Sequence, residues 1–78
     1  MELQVFIDKL RDLFEDTDPA EITENTHYQE LDEWSSLLAL SILALLKMDY
    51  GQTVTGAEIR ECTSVSDLFR LVENKMMS

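Results

Sequence analysis

The sequence is poor in the residues that staple, break or positively charge a small fold: its 78 residues include one cysteine, one proline, two glycines and one histidine. A single thiol, Cys62, excludes an internal disulfide and a zinc site of several thiolates, which need partners this chain lacks. A reducing, cytoplasmic setting is the expectation. His27 stands in a polar stretch without a second histidine or a cysteine nearby, so a metal or general-base role has no support. Six bases face sixteen acids, a net charge of −10. That balance excludes nucleic acid and anionic membranes as natural partners and favours a basic protein surface, although a charge excess also serves plain solubility. No apolar run reaches the roughly 20 residues a membrane-spanning helix needs. No secretion signal opens the chain, and Met1 is expected to be its true first residue. At this length the chain forms one domain, residues 1–78, burying roughly 60% of the surface its unfolded form exposes. A small-molecule pocket of about 300–1,000 Å³ is hard to spare at that size, and no paired acid and base set is present, so an enzyme is not expected.

What is present is mostly helical pattern. Leu3, Phe6, Ile7, Leu10, Leu13 and Phe14 recur at intervals of three and four among charged residues, the period of an amphipathic helix that stops before Pro19. Residues 16–33 have no sustained period and read as a long loop, pinned to the core by Tyr28 and Leu31. Asp16, Asp18 and Glu21 there look superficially like calcium ligands. Pro19 and the lack of a glycine at the sharp turn exclude an EF-hand loop. From Leu37 to Met48 every residue but Ser41 and Lys47 is apolar and nothing breaks the run before Gly51, which predicts a helix largely surrounded by protein. Gln52 to Thr55 is too short for a sheet. A short turn carrying Ile59 and Cys62 follows, then a last helix with Val65, Leu68, Phe69, Val72 and Met76 at helical spacing. Ser64 and Asp67 form a candidate capping box at its start. Three sizeable helices, one short one and a long first loop predict an all-α fold, a small antiparallel four-helix bundle.

The charge is uneven: residues 1–33 hold eleven acids and two bases, residues 34–78 five acids and four bases. The acidic half leads into Leu31-Asp32-Glu33-Trp34-Ser35-Ser36-Leu37. This segment resembles the modification motif of the acyl carrier protein family, in which Asp-Ser-Leu opens the second helix of a four-helix bundle. Ser36 falls on the modified serine, Leu37 on the motif leucine, and Ser35 stands where the family usually has Asp. The spacing onward to Tyr50 and to Thr63-Ser64-Val65-Ser66-Asp67-Leu68 is also similar, so the resemblance covers essentially the whole chain. It implies a 4'-phosphopantetheine arm on Ser36, with Ser35 and Leu37 beside it, attached by a phosphopantetheinyl transferase. The physical logic agrees: a serine in the first turn of a helix lies beside unpaired amides and the positive dipole end, where a phosphodiester is stabilised. By residue type both serines are ordinary caps. With Trp34 and Leu37 fixing the register, Ser35 becomes the cap and Ser36 the attachment point, while Trp34 serves as a half-buried anchor for the loop.

The resemblance further implies that Leu46, Val54, Ile59 and Cys62 border a cavity sheltering an acyl chain, ordinary core packing being the alternative for each. Cys62 reads as a small hydrophobe rather than a reactive thiol. Partner enzymes would meet Leu37, Leu40 and Ala44, with Asp32, Glu33, Asp49 and Glu58 as an acidic rim. Positions where the family presents acids on helix two carry Leu38, Ser41, Lys47 and Met48. The contact surface is thus expected to rely on apolar packing with dedicated acyl-transferring or condensing enzymes, rather than on charge with a general fatty acid synthase. The expected function is a freestanding, monomeric carrier of fatty or related acyl thioesters. A carrier of aminoacyl or polyketide units, or an unmodified helical adaptor, are the alternatives, and self-association through helix two is a further possibility.

Overall fold

The computed structural model describes residues 2–77; Met1 and the expectation attached to it lie outside them. Four helices account for the regular structure: α1 (Leu3–Leu13), α2 (Ser36–Tyr50), α3 (Gly56–Glu61) and α4 (Val65–Met77). No strand occurs among the described residues. Helix α2 is central, packing against α1, α3 and α4, while α1 also meets α4. The radius of gyration is 11.3 Å, close to the roughly 11.5 Å that a compact chain of this length adopts. Among the described residues no helix is long and apolar enough to cross a membrane.

The apolar period of α1 becomes its buried stripe, Phe6, Ile7 and Leu10, with Phe14 buried just beyond the helix end. In α4 the same reasoning holds for Val65, Leu68 and Val72, whereas Met76 is exposed. Phe6 joins the two helices to the end of α2 through rings at 5.4 Å from Phe69 and 5.8 Å from Tyr50. The start of α4 is the predicted capping box: Ser64 Oγ accepts the Asp67 amide, and the Asp67 carboxylate accepts the amides of Ser64 and Thr63 and the Thr63 hydroxyl.

Helix α2 departs from expectation. It is not surrounded by protein: only Leu38, Ile42 and Leu46, spaced four apart, are buried, while Leu37, Leu40 and Met48 are 74%, 63% and 83% exposed. The reason is size. Three neighbouring helices cover one side of a fifteen-residue helix, and the remainder faces solvent whatever its composition. Leu38, expected on the exposed face, is buried because it continues the Ile42–Leu46 stripe. The helix ends at Gly51, whose φ of 66° lets its amide reach the Lys47 carbonyl at 3.0 Å and the following Gln52 amide the Leu46 carbonyl at 3.3 Å.

The long loop from Phe14 to Ser35 contains two 3-10 turns, Pro19–Glu21 and Tyr28–Glu30. It buries Ile22 and Tyr28, with Leu31 partly buried against the core as expected. The loop works as a set of caps for the helices around it. The carbonyls of Thr26 and Glu24 accept the first amides of α4, from Val65 and Ser66. The Arg11 guanidinium of α1 donates twice to the Ile22 carbonyl. Tyr28 and Gln29 send their side chains to the last carbonyls of α3: the Tyr28 hydroxyl donates to Ile59 and Cys62, and Gln29 Nε2 to Ile59, Arg60 and Cys62. A six-residue helix has almost no stability of its own. The Thr55–Glu58 capping box at one end and these two side chains at the other hold α3 in place.

Candidate functional site

The turn leading into α2 is fixed by four contacts before any chemistry begins. The Glu33 carboxylate accepts the Asp16 amide at 3.1 Å and the Thr17 hydroxyl at 2.8 Å. The Trp34 amide donates to the Leu31 carbonyl at 2.9 Å, and its indole lies edge-on to the Tyr28 ring at 5.3 Å. Trp34 is therefore the half-buried anchor the sequence suggests.

Ser35 and Ser36 then divide their roles. Ser35 is extended (φ −156°, ψ 168°), and its Oγ accepts the Leu38 amide at 3.1 Å, closing the first turn as an N-cap. Ser36 is the first helical residue. It is exposed, and among the described residues its hydroxyl has no hydrogen-bond partner. The amides of Ser36 and Leu37 beside it belong to the opening turn and have no acceptor within the helix. Where the family usually has Asp, the neutral Ser35 supplies the cap but not the negative charge.

Two clefts flank this serine and differ in chemistry. On the α3 side, a cleft of about 260 Å³ is lined by Trp34, Ser35, Ser36, Ala39, Leu40, Leu43, Gly56, Ile59 and Arg60. On the α1 side, one of about 300 Å³ is lined by Asp12, Leu13, Glu15, Glu33, Ser35, Leu37, Leu38 and Ser41. Of the four residues expected around an acyl cavity only Ile59 reaches the α3-side cleft. Leu46 and Val54 are buried in the main core and Cys62 lies beyond the end of α3, so none of the three lines it. Ala39 and Leu43 line it beside Ile59. They were not identified from the sequence because α2 is apolar nearly all round, which leaves its rotation undefined. Cys62 is half-buried, and burial pushes its thiol above the ordinary range, helped by Asp67, Glu58 and Glu61. That direction disfavours the thiolate, the nucleophilic form.

Among the residues expected to meet partners, Leu37, Leu40 and Ala44 are all exposed on α2. The four acids are less uniform. Asp32 is exposed and unpaired among the described residues. Glu33 holds the loop through Asp16 and Thr17. Asp49 pairs with Lys9 at 2.8 Å, and Glu58 pairs with Lys75 at 3.0 Å while capping α3. Three of the four thus have internal duties that no sequence pattern signals. His27 meets Glu30 at 2.8 Å on the surface. Among the described residues no group of His, Cys, Asp and Glu is arranged to hold a metal ion; Asp18 instead caps the first 3-10 turn through the Ala20 amide.

No family model matches the chain. Comparison with curated proteins finds similarity to Polyketide-8 synthase acyl carrier protein 2 of Streptomyces avermitilis, 32% identical over 72 residues, covering 88% of this chain and 83% of that protein.

Proposed function

The chain belongs to the acyl carrier protein family, whose members are carriers and not enzymes, and on that premise we propose that it carries acyl units on a phosphopantetheine arm attached to Ser36. The observation that carries this reading is the division of labour at the head of α2. Ser35 takes the cap, which leaves the exposed Ser36 hydroxyl without an internal partner, beside two free amides and an apolar cleft. The residues present suit the group. The opening amides and the dipole of α2 favour a phosphodiester at Ser36, and Trp34, Ala39, Leu43 and Ile59 offer apolar walls to the rest of the arm. When bound, the arm supplies a terminal thiol that holds an acyl unit as a thioester. In its attachment the Ser36 oxygen exchanges its proton for a bond to phosphorus, with adenosine 3',5'-bisphosphate leaving from coenzyme A.

The protein's own part is then address and shelter. Leu37, Leu40 and Ala44 present an apolar surface beside the site for the transferase and for acyl-transferring or condensing enzymes, with Asp32 as the acid free to meet a basic partner. The name of the Streptomyces relative favours polyketide units as cargo over fatty acyl units. We place the protein in the cytoplasm as a monomer, and sedimentation across a concentration series tests the latter.

Intact mass before and after incubation with coenzyme A, magnesium and a broad-specificity phosphopantetheinyl transferase tests the central claim. A gain of one phosphopantetheine, kept in Ser35→Ala and lost in Ser36→Ala, is the expected result. A folded chain that takes no arm from several transferases would instead support an unmodified adaptor, the reading favoured by a neutral Ser35 where the family usually has an acid.

A further inference from the structure

In a chain so rich in carboxylates, basic side chains find partners readily, and five of the six have them. Lys9 pairs with Asp49, Arg11 with Asp8, Arg70 with Asp67 and Lys75 with Glu58, and Lys47 reaches the Thr53 hydroxyl at 3.4 Å. Arg60 is the exception: among the described residues its guanidinium makes no hydrogen bond and no ion pair. Among the described residues it is also the only cation lining either cleft beside Ser36. Its Nη2 lies back over Gly56, 3.9 Å from where a Cβ would stand on that glycine. The opposite, α1-side cleft carries Asp12, Glu15 and Glu33. A negative group fixed to Ser36 therefore has three carboxylates on one side and an uncommitted guanidinium on the other.

Resting on the assignment of the arm to Ser36, we propose that Arg60 receives the arm's phosphodiester and so lays the arm on the α3 side of α2, over Ala39, Leu43 and Ile59. The chemistry suits it: the planar guanidinium presents paired donors to phosphate oxygens, and a cation with no competing carboxylate gives up no existing contact to do so. Ser36 and Arg60 line the same cleft, so a phosphate on Ser36 stands at the edge of the cleft that carries the guanidinium. Repulsion from the α1 side acts in the same direction. The guanidinium thereby selects which of two clefts the arm enters.

The test uses the full chain in apo and modified forms, with intact mass certifying complete modification. The chain holds three arginines, so their Nε–Hε correlations resolve readily, and Arg60→Gln assigns the relevant signal. The expected result is an Arg60 signal that moves on modification while those of Arg11 and Arg70 stay, and that returns toward its apo position in high salt. The phosphorus resonance of the modified protein shifts in Arg60→Gln and is restored in part by Arg60→Lys. Arg60 is exposed, and circular dichroism of the apo variants verifies the fold. A fully modified protein whose Arg60 signal does not move overturns the proposal. So does a signal that moves only after loading with a malonyl and not an acetyl unit, because it would assign Arg60 to a cargo carboxylate. A chain that takes no arm removes the Ser36 assignment and this inference with it, an outcome the mass alone identifies.

Discussion

Tyr28 and Tyr50 should respond in opposite directions to the same loss of one oxygen atom. Tyr28 is 1% exposed and its hydroxyl donates to the carbonyls of Ile59 and Cys62. Tyr28→Phe removes these bonds, but both carbonyls keep Gln29 Nε2, at 3.3 and 2.7 Å. The loss is therefore about 1–2 kcal/mol, a buried hydrogen bond without a fully orphaned acceptor. The Tyr50 hydroxyl is buried with no partner among the described residues, and desolvation raises its pKa. Tyr50→Phe removes that unsatisfied group while keeping the ring against Phe6 and below Lys9 Nζ, 5.9 Å from its centroid. A gain of about 1 kcal/mol is expected. Urea titration with a common m-value, and thermal unfolding at about 4–8 °C per kcal/mol for a domain of this size, read the difference. The two midpoints should move apart around that of the wild type. Equal losses in both variants would refute the reasoning, since they would mean that the Tyr50 hydroxyl has a partner or that the Tyr28 bonds contribute nothing beyond ring packing.

Ser35→Ala removes the α2 cap and should cost about 1 kcal/mol, whereas Ser35→Asp should retain the cap and add a few tenths of a kcal/mol through the helix dipole; chemical denaturation of the apo protein compares them. Gly51→Ala should destabilise by about 1 kcal/mol because of the positive φ, with no steric clash to add to it, since nothing lies within 4 Å of the added carbon. Hydrogen bonds, from the Thr63 hydroxyl foremost, hold Asp67 below its usual pKa, and the Thr55 amide with Lys75 does the same for Glu58. A carboxylate lowered on folding stabilises the protein above its unfolded pKa, and that contribution is lost as pH falls through the folded one. Stability should therefore decline on acidification below about pH 4, and Asp67→Asn should flatten the decline in a series of melts at stepped pH.

The sequence makes α1 and α4 legible because their polar residues mark the outside, so the apolar period names the buried side directly. It makes Ser35 and Ser36 legible because a cap and the residue after it are local features. Leu46, Val54 and Cys62, expected to border an acyl cavity, do not line the cleft beside Ser36, and the residues that do were hidden for a different reason. An apolar helix carries no mark of its outer face, and only the assembled neighbours reveal that Ala39 and Leu43 face the cleft. The loop was legible as a loop, but its role as a cap was not. Gln29 and Arg11 bond to carbonyls thirty or so and eleven residues away, and such pairings depend on tertiary approach rather than on pattern. Arg60 was invisible for the same reason: its distinction is the lack of a partner, which exists only once the other cations have taken theirs.

Uniform composition also leaves α2 little by which to choose its rotation. Turned by one residue about its own axis, the helix would offer the core another set of leucines and alanines of similar hydrophobicity, so burial discriminates weakly between orientations. The decision falls to the ends, to Ser35 and the anchored Trp34 at one and to the left-handed Gly51 at the other. Loosening either end should give neighbouring azimuths of comparable energy, a broadened native state rather than an unfolded one. The direction in which Ser36 points is then a property held at the two termini of the helix, and a change fifteen residues away can alter it without touching the serine.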